Sequence, residues 1–536
     1  MKKLLILLMF AGVVSSYSQV SQQWIARYSA SGGNDTPTDM AVDASGNVYV
    51  TGISIVNATS SDFLTIKYNA AGVQQWESRF IGNGGFNNDE AYSIGLDASG
   101  NVYVGGTSFG GGTSLDIMIV KYSNTGSVIW EVRYTNPEAR EDEIIKMIVD
   151  AAGNIYVGGI STYTATQKDF VILKYNSAGQ LQWARTYNNS GNNNDYLSNM
   201  TVDVSGNVYV TGSSYVPGNS SDFVTVKYNS AGILQYAYTL NAGGDDIGTE
   251  IAVDASGNAY ISGYTDAYGT GFDFFTYSLT PAGSYRWLYR YNGGANAEDR
   301  PQGIITDPSG NVYVTGFSNQ GATGFDVLTI KYNSSGAEQW VRALNVGGDD
   351  RAYDMTLDAA GNVFLTGKTN AYGTADDFLT CSYNSNGDFR WLMAYNNAPT
   401  NGNDYASKII TDAAGNVYVT GASNGGANDY ATVKYTSVTG IQSLNNEIPG
   451  HFSLSQNYPN PFNPETNISF NILVHGSVKL AVYDVSGKES AKLIDNYLNA
   501  GTYNYNFNAS GLTSGIYFYR LTAGSYTETK KMILVK

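Results

Sequence analysis

One five-residue pattern, Asp-x-x-Gly-Asn, begins at Asp43, Asp97, Asp150, Asp203, Asp254, Asp307, Asp358 and Asp412, at spacings of 51 to 54 residues. A repeat of this length commits the chain to a solenoid or a radial array, because one unit cannot bury its apolar faces alone and must stack on its neighbours. The number of strands per unit decides between them. In the first full unit, Thr38 to Asp43 predicts one strand, Ala44-Ser45-Gly46 a turn, and Asn47 to Ser54 a second strand. Asp62 to Asn69 predicts a third, Ala70-Ala71-Gly72 a turn, and Val73 to Phe80 a fourth. Four antiparallel strands per unit make a β-propeller blade. Polar-apolar alternation is blurred along these strands, as expected where each blade is packed between two others.

The two ends of the repeat array are out of phase in a telling way. Gln22 to Tyr28 (Q-Q-W-I-A-R-Y) matches a fourth strand, whereas the last unit stops after its third strand at Tyr435. Bringing the N-terminal strand against the last three completes an eighth blade, closes the ring and removes the need for capping repeats. The sequence therefore predicts an all-β, eight-bladed propeller over residues 19–435. The D-x-S-G-N-V-Y-V-T-G and D-F-x-T-x-K-Y-N-x-x-G segments and the Trp that follows resemble the bacterial β-propeller repeat family often described as seven-bladed. The resemblance implies a propeller fold without implying a chemistry.

Beyond Tyr435 the composition changes. Residues 436–450 are polar and predict a linker, and Asn457-Tyr458-Pro459-Asn460-Pro461-Phe462-Asn463-Pro464 holds three of the chain's 11 prolines. Short strands separated by Gly-containing turns follow, predicting a small β-sandwich over 451–536. The N-Y-P-N-P-F-N-P lead-in, Val482-Tyr483-Asp484-Val485-Ser486-Gly487-Lys488, Ser514-Gly515-Ile516-Tyr517 and the basic-apolar ending Lys530 to Lys536 resemble the type A C-terminal sorting domain of the type IX secretion system of Bacteroidetes. That resemblance implies export across the outer membrane, with the secretion machinery as partner of residues 451–536 and a secreted or surface location. At the other end, Lys2 and Lys3, an apolar run from Leu4 to Val14 and Ser16-Tyr17-Ser18 predict a secretory signal peptide over 1–18. No later apolar stretch is long enough for a transmembrane segment.

Several chemistries are excluded by residue types. A net charge of −16 opposes nucleic-acid binding, which depends on Lys and Arg displacing counterions. The single cysteine, Cys381, allows no intramolecular disulfide and is expected as a buried apolar residue. The only histidines, His451 and His475, lie outside the repeats, which excludes a Ser-His-Asp triad or a histidine metal site in the propeller. Asp-x-x-Gly-Asn lacks the ligand spacing of a calcium loop and predicts a turn. Gly82 to Gly85 and Gly110 to Gly112 are expected as inter-strand loops, and Trp76, Trp130, Trp183, Trp287, Trp340 and Trp391 as blade-packing residues.

Two further acidic series recur. One is Asp35, Asp89, Asp142, Asp195, Asp246, Asp299, Asp350 and Asp404; the other is Asp62, Asp116, Asp169, Asp222, Asp273, Asp326, Asp377 and Asp429. Both are expected at one rim, as hydrogen-bonded loop caps or as cation ligands. Glu250, Glu298 and Asp354 break the repeat consensus near that rim and are the first candidates for a carboxylate pair of the glycosidase kind. No catalytic, cofactor or metal residue is assigned from the sequence. Two functions stay open: an exported binding or scaffold protein with a glycan or protein ligand on the propeller face, and a carboxylate-based carbohydrate-active enzyme.

Overall fold

The structure is a computed structural model that describes residues 17–30, 33–56, 60–82, 88–110, 114–216, 220–371, 375–397, 402–445, 449–474, 476–498 and 500–536. The expected signal peptide therefore lies mostly outside the described residues, as do His475 and parts of the two Gly-rich loops. Among the described residues the chain is all-β and no helix is long and apolar enough to cross a membrane. It divides into two compact units, a propeller unit of Trp24–Asp388 and Met393–Lys434, and a C-terminal unit of Tyr435–Lys536 with which the residues up to Gln23 and Phe389–Leu392 are grouped.

Seven four-stranded antiparallel sheets follow one another along the chain. The first consists of Asp35–Val42, Val48–Val56, Ser60–Tyr68 and Gln74–Phe80. An eighth is built from Asp404–Thr411, Val417–Asn424 and the start of Asn428–Asn445, with the N-terminal strand Tyr17–Tyr28 as its outermost member. Arg27 binds Asp429 at 2.9 Å, and the Tyr28 and Tyr430 rings lie 6.4 Å apart. The propeller thus has eight blades, the last closed by the N-terminal strand. Residues 436–445, expected as linker, are strand.

The second and third strands of every blade are almost wholly buried, which explains the blurred alternation. Their side chains form clusters shared between neighbours: Tyr49 and Phe63 of the first blade pack with Val102, Val104 and Tyr122 of the second. Met40, Val50, Leu64, Tyr418 and Tyr430 form the cluster that joins the eighth blade to the first.

An outer belt links the blades as well. Trp76 on the fourth strand of the first blade donates its indole N-H to the Asn124 carbonyl in a turn of the second, at 3.0 Å. Lys67 donates to the same carbonyl at 3.1 Å while its ammonium lies over the Tyr49 ring. Trp130, Trp183, Trp287 and Trp340 repeat the indole bond. Trp24, bonded to the Ala70 carbonyl at 3.1 Å, carries the belt across the closure. Each ring covers the glycine of the next turn. A Cβ on Gly126 would come within 2.7 Å of Trp76, and its φ of +86° already disfavours a side chain.

The C-terminal unit has two sheets that share one core. Glu489–Leu498, Gly476–Tyr483, Gly515–Ala523 and Tyr526–Leu534 make one; Glu465–Ile472 and Gly501–Asn508 are central to the other. Ile468, Phe470, Leu480, Val482, Tyr519 and Met532 meet between them. This is the expected β-sandwich.

Candidate functional site: the channel waist

The first strand of each blade is innermost, and neighbouring first strands touch around the ring, including the eighth with the first. Ser407 closes this inner circle by donating to the Pro37 carbonyl at 3.2 Å. Every first strand is interrupted at one place by a shift in register, such as that between Pro37 and Asp39 or between Gly248 and Glu250. The same shift occurs in the other six blades. A bulge bends its strand and re-aims the residue beside it. The backbone also presses against the second strand at this point: a Cβ on Gly212 would lie 1.9 Å from the Tyr196 carbonyl oxygen. The repeated glycine that closes each second strand makes room for the bulge.

Eight bulges at one level form a waist in the central channel, around a cavity of about 330 Å³ lined from all eight blades. The residues at the bulge are Asp39, Ser93, Lys146, Asn199, Glu250, Gly303, Asp354 and Lys408. Whereas the Asp four residues earlier is the same in all eight blades, this position takes six different residue types. Asp39 accepts the Ile94 N-H at 3.1 Å, and Asp354 accepts the Ile409 N-H at 2.9 Å and the Lys408 ammonium at 3.1 Å. Burial alone would lower the Lys408 pKa, but Asp354 and then Asp39 hold it above the ordinary value. Glu250 accepts the Asn199 amide at 2.6 Å. Part of its surface stays open to the channel, yet protein crowds it on all sides. That loss of hydration, aided by the Asp354 charge, pushes its carboxyl up to about 7 against the pull of Lys146 and Lys408.

Of the three sequence candidates, Glu250 and Asp354 therefore belong to the waist rather than to the rim. Glu298 does not: it lies on the loop before its blade and pairs with Arg300. Lys146, Lys408, Asp39 and Asn199 were not singled out by sequence. Reading the fourth residue after each Asp of the first series would have found them.

The rim itself differs from expectation in orientation. Asp35, Ser54 and Asp62 lie side by side across three strands, which puts both series at one end of each blade, but the carboxylates turn inward. All eight of the first series are buried, as are seven of the second; Asp429 is partly exposed. The strands end here, so loop N-H groups need acceptors. Asp35 accepts the Ala30 N-H at 2.6 Å and Asp195 the Asn189 N-H at 2.8 Å, and the other six members make the same bond. Burial raises Asp35 and Asp142, and it raises Asp169 to about 6 with help from Asp195. Among the described residues no group of three acidic, histidine or cysteine side chains is placed to hold a metal.

The remaining candidates are structural in their geometry. Asp43 accepts the Ser45 and Asn47 N-H groups, the Asn47 amide and the Tyr49 hydroxyl, which fills its lone pairs inside the turn. Cys381 is fully buried, and burial pushes its thiol up to about 12. In the C-terminal unit, the two ends of the sorting-type sequence meet. Asn460 accepts the Ile533 N-H at 2.9 Å, Phe462 donates to the Ile533 carbonyl at 3.0 Å, and Val535 donates to the Phe462 carbonyl at 2.9 Å. His451 is exposed.

Residues 456–536 match the secretion system C-terminal sorting domain, and residues 23–57, 233–269 and 289–321 match the beta-propeller repeat. The chain thus carries β-propeller repeats and a type IX sorting domain, and that system delivers it to the cell surface or beyond. No curated protein matches it in sequence. Among solved structures it is similar to a protein of unknown function from Bacteroides caccae, at 14% identity over 56% of this chain and 94% of that one (TM-score 0.31). It is also similar to the WD40 domain of SCAP from fission yeast (8%, 78% and 98%, TM-score 0.42) and to a protein of unknown function from Dyadobacter fermentans (10%, 78% and 99%, TM-score 0.36). Likenesses this weak carry no argument about this chain.

Proposed function

We propose that this exported propeller is a saccharide-binding protein whose ligand enters the channel waist. The observation that carries the reading is the non-repeating polar ring at the eight bulges. A structural position tends to repeat with the blades, as the rim Asp does in all eight and the belt Trp in seven. The cavity is of the size that small ligands occupy, which favours an oligosaccharide end over a protein partner. Carboxylates and amides such as Glu250, Asn199 and Gln302 offer both acceptors and donors to sugar hydroxyls. Tyr92 and Tyr353 add aromatic rings to the lining, suited to the apolar faces of a sugar. Signal-peptide cleavage after residue 18 and a propeller ending near 435 belong to the same proposal.

A second reading, glycoside hydrolysis, is favoured by Glu250, whose carboxyl near 7 suits a proton donor at neutral pH. Asp354 would be the partner carboxylate, although Lys408 and the Ile409 N-H already engage it. One screen tests both. The mature protein is titrated with a panel of oligosaccharides by calorimetry while reducing ends are counted. Binding without hydrolysis supports the binding protein, turnover lost in Glu250→Gln supports the enzyme, and no binding to any saccharide overturns both.

A further inference from the structure

Each charged group of the waist has a partner except one. Asp39 is engaged by backbone N-H groups, Asp354 and Lys408 by each other, and Glu250 by Asn199. Lys146 is half-buried and makes no hydrogen bond or ion pair among the described residues. An ammonium carries three donors, and withdrawing it from water without an acceptor is costly. Of the positive charges acting on Glu250, that of Lys146 is the strongest, yet the two do not close into an ion pair. A cation from the third blade and a carboxylate from the fifth thus line one cavity without pairing, and Tyr92, Gln302 and Tyr353 line it from the second, sixth and seventh blades.

Resting on the saccharide reading, we propose that the waist selects acidic sugars, a uronate carboxylate seating on Lys146 while Glu250 becomes neutral to admit it. The charge balance supports this assignment. With Asp39 held by N-H dipoles and Asp354 offset by Lys408, the waist charges left without a counter-charge or backbone partner are Lys146 and Glu250, the latter bonded only to the neutral Asn199 amide. A ligand carboxylate pairs with the first and repels the second. Repulsion between like charges raises the pKa of the titrating group, so Glu250 takes up a proton as the sugar binds. A neutral sugar would leave Lys146 unpaired and gain nothing from that proton. The Tyr92 hydroxyl donates to Glu90 and so leaves its ring, rather than its oxygen, for the ligand.

The test compares oligogalacturonates with their methyl esters, which keep the shape and lose the charge, on the full mature chain. The acid is expected to bind about tenfold tighter or more. Its affinity should rise as pH falls from 8 to 6, with proton uptake visible as a buffer-dependent heat. Lys146→Met should remove the preference for the acid. Glu250→Gln should bind the acid at pH 8 as tightly as the unaltered protein does at pH 6, and its pH dependence should vanish. Esters that bind as well as the acids would overturn the acidic selectivity and leave the saccharide reading standing. Absence of binding to either would overturn both, and unchanged selectivity in Lys146→Met would remove that residue from the role.

Discussion

The outer belt and the channel waist are built by the same eight repeats, yet they obey opposite rules. In the belt, an indole and a lysine from one blade share a carbonyl of the next, and the arrangement recurs around the ring. At the waist, eight equivalent bulges carry Asp, Ser, Lys, Asn, Glu, Gly, Asp and Lys. Repetition serves the contacts every blade needs. Divergence serves no such contact, and here it falls on the stretch of the first strands that lines a cavity. The comparison separates what holds this ring together from what it offers to a ligand.

The separation has measurable consequences. Deleting Gln22 to Tyr28 strikes the belt and the cores at the closure, and should abolish cooperative unfolding of the propeller in denaturant. A deletion variant with an unchanged transition would show that the ring does not depend on its closing strand. Gly126→Ala injures one belt joint. The strained φ and the clash with Trp76 should cost about 2 kcal/mol, read from urea midpoints, with saccharide binding unaltered. Trp76→Phe keeps the ring and removes one indole bond, and should cost about 1 kcal/mol. Lys146→Met at the waist should shift stability by no more than about 0.5 kcal/mol while changing binding. A large loss of stability in that variant would merge the two regions into one structural role.

The smallest effect belongs to the buried rim. Asp169 has a folded pKa of about 6, above its ordinary value, because of burial and the nearby Asp195. The folded state therefore binds more protons than the unfolded one between roughly pH 4 and 6, so stability rises as pH falls through that window. The melting temperature should be higher at pH 5 than at pH 7 by on the order of a degree. Asp169→Asn should flatten that part of the profile. The turn aspartates work in the opposite sense: burial raises Asp43 and Asp97, but hydrogen bonds led by Asn47 and Asn101 outweigh it and hold both low. Their contribution is present at neutral pH and disappears only below the ordinary carboxylate range.

Much of the architecture was legible because it depends on local signals that repeat. Asp43 to Asn47 spells its own turn, the Trp phase marks fourth strands, and the mismatch between Tyr28 and Tyr435 reveals how the ring closes. The waist was only half legible. Glu250 and Asp354 stood out as departures from the repeat, but Lys146 and Asn199 looked like ordinary strand residues. The bulge that aims them inward arises from contact between strands, which no single strand announces. Direction was equally hidden at the rim, where the sequence counts carboxylates but cannot say that Asp35 and Asp195 turn away from water. At 436–445 polar composition suggested a linker, and the backbone there is strand.

Closure by the N-terminal strand also sets a schedule. Arg27 must find Asp429, 402 residues further along the chain. Joining ends so far apart carries a large entropic cost before any contact rewards it. Until the last third strand is available, the first segment has no sheet to join, and the blades between them form an open arc with an unpaired edge. The ring can therefore be completed only after the whole repeat array has been made and its last third strand is in place.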